Sequence, residues 1–389
     1  MDIKKMIDEI YDEIIEIRRF IHMNPELSNQ EYNTNKKIVN FLNSNNIENR
    51  TIANTGVLGI ISGISNSEKT IALRADIDAL PLEEKTDLPF KSISKNVMHA
   101  CGHDVHTAIL LGSAKILNNL KDKFSGNVKL FFQPAEETTG GALPMIEENC
   151  LKSPKVDYVL GLHVMPYLKT GKIELKYGKL NAASDTIKII VSGKSGHGAY
   201  PETSIDAILI ASHIIVSMQT LISRNISPLN SAVLSFGTIN GGSKTNIIAD
   251  EVILSGTLRT LDSKTREFTH KKIREIAEYT AKAFGGDSKV IIENGYEPLI
   301  NNDEVVKVLY NTAIENIGEE NIVFKDFPSL GVEDFSYFSN RVPGAFFHLG
   351  CKKENLSTSL HNNNFDVDEN CIKTGILMQV KTALNLLQS

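Results

Sequence analysis

Residues 185–192 read DTIKIIVS, and the elements after this Ile- and Val-rich strand decide the fold. A helical stretch, SIDAILIASHIIVSMQTL, covers 204–221. Strands come next at 231–238 and 250–258, then a helix at 264–284 and a last strand at 289–293. The order β-α-β-β-α-β is the ferredoxin-like arrangement. A separate α+β unit is therefore expected over residues 184–294.

The flanking sequence has a different grain. At the N-terminus, Ile3, Ile7, Ile10, Ile14, Ile17 and Ile21 recur at helical spacing with charged residues between them, and Pro25 closes the run. A second helix is expected over 31–42. Short β-branched runs then appear at 57–61, 70–73, 127–132 and 158–162, bounded by Gly, Asp or Pro, with a helix at 104–120 among them. Strands alternating with helices predict an α/β layer with a mixed, largely parallel sheet flanked by helices. After Gly295 the mixed pattern returns. The asparagine-rich stretches 43–49 and 362–364 read as polar loops.

Composition narrows the function classes. A chain of 389 residues allows two or three domains. It is 41% hydrophobic and 23% charged, which suits a folded globular chain and neither a disordered nor a collagenous one. The net charge of −6 comes with no basic block, so nucleic acid is not an expected partner. The longest apolar stretch, 207–218, is broken by Ser212 and His213 and falls short of the ~20 residues of a membrane span, so no membrane association is expected. The first residues are charged, with no apolar signal core. Four widely spaced cysteines make no disulfide framework, and the expected location is the reducing cytoplasm.

Histidine is unevenly spread. His99, His103 and His106 fall within eight residues, with Cys101 among them. Thiolate and imidazole both suit Zn²⁺ and similar ions. The competing reading is a buried cysteine beside a helix start capped by Asp104. His106 reads as support or packing. Asp76 and Asp78, Glu136 and Glu137, and His163 each lie just past an expected strand end, where α/β sheets bind ligands. Adjacent carboxylates such as Glu136 and Glu137 repel unless a cation or a proton intervenes. Hydrolysis at a metal uses one carboxylate as ligand and another as proton acceptor. Other signatures fail. There is no His-Glu-x-x-His and no G-x-S-x-G, and Gly193-Lys194-Ser195 has Lys188 where a phosphate loop needs glycine.

A series of motifs runs along the chain in order: Arg18-Arg19 with His22 and Pro25–Ser28; Leu73–Pro81; Met98–Thr107; Phe132–Glu137; Gly161–Val164; Ser195–Pro201; Gly256–Arg259; Val332–Phe338; and Leu360-His361. Taken together, they resemble the M20 peptidase family, in its subgroup of N-acyl-amino-acid, indole-acetyl-amino-acid and hippurate hydrolases and N-acetyl-diaminopimelate deacetylases.

This resemblance implies a metal-dependent amidohydrolase with two divalent ions (Zn, Mn, Co or Ni). The ligands would be Cys101, His103, Glu137, His163 and His361, with Glu136 as general base. Asp78 would orient the site without touching metal, with Asp76 a rival for that role. His197, Asn246 and Arg259 would contact the oxyanion or the substrate carboxylate. The implied substrate is a small N-acyl amino acid, with N-acetyl-diaminopimelate as an alternative and a non-catalytic metal- or peptide-binding relative as a third reading. The resemblance also implies a homodimer, or a tetramer, through the central lid. Because His163 precedes that unit and His361 comes after it, the catalytic domain is expected in two pieces, 1–183 and 295–389, around the insert at 184–294. Glu333 and Asp334 match a motif of unassigned role. Glu202 stands where relatives often carry His, and Ile248 where they carry Pro.

Overall fold

The isoleucine stripe forms the helix Ile3–Met23, and all six of its spaced isoleucines are buried. Asp2 caps it, its carboxylate accepting the Lys5 N–H at 3.1 Å. The stripe packs against the helices His103–Asn119 and Cys371–Gln388. The computed structural model describes residues 2–64, 67–354 and 358–388. The chain forms two compact units. One comprises Met1–Gly178, Ile300–Phe327 and Asp334–Ser389; the other comprises Lys179–Leu299 and Pro328–Glu333.

The first unit is built on an eight-stranded sheet. Its order is Glu48–Ile52, Gly56–Ser62, Asn127–Gln133, Thr70–Asp76, Tyr158–Lys169, Gly344–Lys352, Ile173–Leu175, Ile322–Phe324. The four central strands run parallel and the outer pairings are mostly antiparallel. Helices flank this mixed, largely parallel sheet, as the sequence predicted. Two strands run further than their apolar runs suggested. Thr70–Asp76 includes Asp76, and Tyr158–Lys169 includes His163, so both residues lie within strands rather than past them. The ladder continues through Arg74 and Asp76 because these charges neutralise each other inside, with Arg74 Nη1 2.7 Å from Asp76 Oδ2. Glu48 opens an edge strand where a polar loop was expected; its ENRTI sequence is largely exposed and lacks an apolar face.

Asp104 does not cap its helix. Gly102 occupies the cap position at φ +84°, and Asp104 Oδ2 instead meets Arg18 Nε and His22 Nδ1, each at 2.8 Å. Arg18 also reaches Glu369 at 3.2 Å, and His22 reaches Glu84 at 3.3 Å. Removing one partner of a buried pair costs about 3–5 kcal/mol. These charges therefore stand or fall as a set that fastens the first helix beneath the helix of His103.

The second unit has four antiparallel strands in the order Ala232–Gly241, Glu251–Thr260, Ala183–Ser192, Asp287–Asn294, with the helices Ala207–Thr220 and Ser263–Ala283 packed on them. This is the ferredoxin-like order predicted from residues 184–294. The helical run Ala207–Asn225 continues past the expected apolar stretch. Its 19 residues, at mean hydropathy 1.4, are long and apolar enough to cross a membrane by length and composition. Ala207, Ile210, Ala211, Ile214 and Met218 fill the unit's core. Ile208, Leu209 and Val216 are exposed.

Candidate metal centre

The parallel strands deliver their chemistry at one level. Asp76 is paired with Gln133. Arg74 is paired with Gly161, which carries His163 to the level of Asp76. Arg74 anchors this rim. Its guanidinium donates to Gln133 Oε1 (2.9 Å), Asp76 Oδ2 (2.7 Å) and Asp334 Oδ1 (2.8 Å). Asp334 further accepts from Gln133 Nε2 and from the Ala142 N–H. The Asp334 whose motif had no assigned role thus clamps Arg74 and the loop after Gln133; Glu333 is the last residue of the segment Pro328–Glu333 that belongs to the other unit.

Cys101 Sγ stands between two imidazoles, 3.3 Å from His163 Nε2 and 3.2 Å from His361 Nε2. His361 Nε2 is also 3.2 Å from Glu137 Oε1, and His103 Nε2 is 3.7 Å from that same oxygen. Cys101, His103 and His163 form one ligand-sized group, and Cys101, Glu137 and His361 form a second that shares the thiol. A third joins Glu136 to His103 and Glu137. All five expected ligands and Glu136 therefore come together. Gly102 makes the Cys101–His103 spacing possible: a Cβ there would lie 2.3 Å from Val164 Cγ2, and its φ is left-handed. His361 also sits at positive φ (58°), held by its N–H to Ala100 O at 2.8 Å.

Hydrogen bonds fix the tautomers. His163 Nδ1 faces the Val164 carbonyl at 2.8 Å and so must carry the proton, leaving the Nε2 lone pair toward Cys101. Burial and the neighbouring His106 hold His163 well below the usual imidazole range, hence neutral. His106 is different. Its Nε2 accepts the Val164 N–H at 2.9 Å and its Nδ1 donates to Asp76 Oδ1 at 2.5 Å. Both nitrogens are used, so His106 supports the site and has no lone pair for a cation. His103 Nδ1 donates to Asp78 Oδ1 at 3.1 Å, turning Nε2 inward.

Asp78 and Asp76 thereby separate. Asp78 touches the candidate ligands directly, holding His103 through Oδ1 and the Glu137 N–H through Oδ2 at 3.0 Å, with Ser28 Oγ at 2.7 Å completing it. Asp76 is committed to Arg74 and His106.

The donor set fits divalent cations. His103 Nε2 is buried and makes no hydrogen bond among the described residues. Such atoms are costly without a partner, and a cation supplies one. Burial and the Glu137 carboxylate push the Cys101 thiol well above its ordinary range, so a cation is what would draw it into the thiolate form. Two groups sharing one sulfur suit a pair of ions with thiolate, imidazole and carboxylate donors.

The sequence matches the pattern of Peptidase family M20/M25/M40 over residues 72–385. The chain belongs to that family. It aligns with an N-acetyl-L-cysteine deacetylase of Bacillus subtilis at 41% identity, covering 97% of this chain and 89% of that protein. A hippurate hydrolase of Campylobacter jejuni is likewise 41% identical, over 98% of this chain and 100% of its own. The YXEP protein of Bacillus subtilis, a dinuclear metal binding peptidase from the M20 family, superposes with a TM-score of 0.86 at 32% identity, covering 98% and 99% of the two chains. With that fold and these clusters the protein is a metal-dependent amidohydrolase of the M20 family.

In the second unit, His197 and Asn246 are neighbours. The short strands Gly196–His197 and Ile247–Ile248 pair, and the Gly198 N–H reaches Asn246 O at 2.9 Å. His197 Nδ1 accepts the Ala199 N–H at 3.1 Å, which leaves Nε2–H as the ring's donor. Arg259 is apart from that pair, within Glu251–Thr260 opposite Val233 and Ser184. One residue that spacing did not flag is Glu31. Its buried carboxylate accepts the N–H of Ala135, immediately before Glu136. Nothing in the local sequence marks it, because its partner is far along the chain.

Proposed function

We propose that the protein hydrolyses the amide bond of small N-acyl amino acids, with Glu136 as general base. The observation that carries this reading is the convergence of one thiol, three imidazoles and a carboxylate on one centre, with Glu136 alongside. Cys101, His103, Glu137, His163 and His361 would hold two divalent ions. Bound there, the ions lower the pKa of water toward about 7 and polarise the substrate carbonyl. Glu136, almost fully buried, takes the proton of the attacking water and returns it to the leaving amine. Asp78 keeps His103 and the Glu137 backbone in place. We assign the Nε2–H of His197 to the oxygen that gains charge, a contribution of about 3–4 kcal/mol where single donors have been removed. Asn246 and Arg259 are assigned to the substrate carboxylate, which suits the forked guanidinium. The names of the deacetylase and the hippurate hydrolase support acylated amino acids as the class.

The test is a panel of N-acetyl, N-benzoyl and indole-acetyl amino acids, with N-acetyl-diaminopimelate included. Chelated protein is reloaded with Zn²⁺, Mn²⁺, Co²⁺ or Ni²⁺. Activity should vanish on chelation, return with at least one metal and release free amino acid. Protein that rebinds metal and cleaves no member of the panel would be a binding relative instead.

We also propose a homodimer through the second unit. Ile208, Leu209 and Val216 (67% exposed) leave an apolar face on the helix Ala207–Thr220, and Ala232–Gly241 is the edge strand of its sheet. A second copy would cover both. Sedimentation should give twice the chain mass, and Val216→Asp should shift it toward the monomer. A wild-type monomer at micromolar concentration would refute the assembly.

A further inference from the structure

We propose that Glu31 is a positioning residue: through the amide of Ala135 it sets the loop that presents Glu136. This rests on the reading of Glu136 as base. The Glu31 carboxylate is fully buried and divided between two donors. Oε1 accepts the Ala135 N–H at 2.9 Å, and Oε2 accepts the Thr55 hydroxyl at 2.5 Å. Glu31 is itself fixed at the head of the helix Tyr32–Ser44, its carbonyl accepting the Asn35 N–H at 2.8 Å. Glu26 holds the next amides, those of Asn33 and Thr34.

Ala135 needs such a hold. Its φ is +56°, a region that alanine avoids in the absence of outside constraint. The turn it begins is tight. The Gly140 N–H returns to Ala135 O at 2.9 Å, and a Cβ on Gly141 would lie 1.9 Å from Pro134 O. Two carboxylates thus set the two ends of one dipeptide. Glu31 fixes the amide before Glu136, and Asp78 fixes the amide of Glu137 at 3.0 Å. Releasing the Glu31 end frees Ala135 to turn toward an ordinary conformation and swings Glu136, while the Asp78 end keeps Glu137 with the ligand cluster. The consequence is specific: the base moves and the metal ligands stay.

Three variants test this. Glu31→Met keeps the length and removes both acceptors. Glu31→Gln keeps an amide oxygen for the Ala135 N–H. Thr55→Ala removes the other partner of Glu31 and leaves Ala135 held. Glu31→Met should lower kcat at least about tenfold, since a shift of about 1 Å can cost 100-fold. Its KM and its metal per chain should stay near wild type. Glu31→Gln should remain within about threefold of wild-type kcat, and Thr55→Ala should lose melting temperature but not kcat. Hydrogen–deuterium exchange on peptides spanning 133–140 should speed up in Glu31→Met alone. Wild-type kcat in Glu31→Met, or an equal fall in all three variants, would overturn the proposal. Exchange reads the anchor independently of activity. If wild type cleaves none of the panel, the functional reading fails, while faster exchange confined to Glu31→Met still upholds the anchor and unchanged exchange refutes it.

Discussion

Glu136→Gln should keep the wild-type metal content and lose at least about a hundredfold in kcat, the scale on which a general base contributes. Glutamine matches the shape of glutamate and retains one acceptor oxygen, so packing around this almost buried side chain changes little. What it cannot do is take a proton. Glu136 shares a ligand-sized group with His103 and Glu137, close enough to serve a water at the centre. The neighbouring Glu137 is anchored separately through its own amide to Asp78, so the ligand set should survive the substitution. Metal analysis and kcat on the same preparation decide the matter. Near-normal turnover would remove Glu136 as the base, and lost metal would make it a ligand instead.

Cys101→Ala should act in the opposite way, on metal first and on turnover as a result. The sulfur is the one atom common to both ligand groups, 3.3 Å and 3.2 Å from the two imidazole nitrogens. Losing a residue that merely orients a ligand already costs 10–100-fold in metal affinity. Removing the shared donor should cost at least about 100-fold, visible as fewer ions per chain after dialysis against a weak chelator. The fold should persist, because Ala100 and Gly102 on either side are buried and the thiol's hydrogen-bond partners among the described residues are the cluster's own imidazoles. An unchanged ion count would show that Cys101 is not a ligand.

Periodicity carried the fold a long way. The isoleucine stripe of the first helix and the β-α-β-β-α-β order of the insert are local patterns, each written in consecutive residues, and both folded as read. Patterns failed where charge goes inside. Nothing local says that the strand of Leu73 continues through Arg74 and Asp76, because its continuation depends on Asp334 and Gln133 from distant segments. Asp104 next to a helix start looked like a cap and is a buried counter-ion to Arg18, a partner many turns of chain away. The edge strand at Glu48 has no apolar face to reveal it. At the site, residue types and order pointed to residues that the fold brings together, yet spacing could not tell an imidazole that faces the cluster from one that supports it. His103 and His106 lie one helical turn apart and differ in what their nitrogens meet: Asp78 takes Nδ1 of His103 and leaves Nε2 facing the cluster, whereas Val164 and Asp76 use up both nitrogens of His106.

The tautomer locks on His163 and His103 bear on ion exchange. Backbone and carboxylate partners aim both rings, whatever occupies the centre. Replacing one divalent ion by another then asks for no rotation of these ligands, and the chain has little steric means of refusing a competitor. Discrimination is left to donor softness, a single sulfur among nitrogens and one oxygen, and to which ion the surroundings supply. Which borderline cation fills such a centre would then follow the supply during growth as much as the sequence.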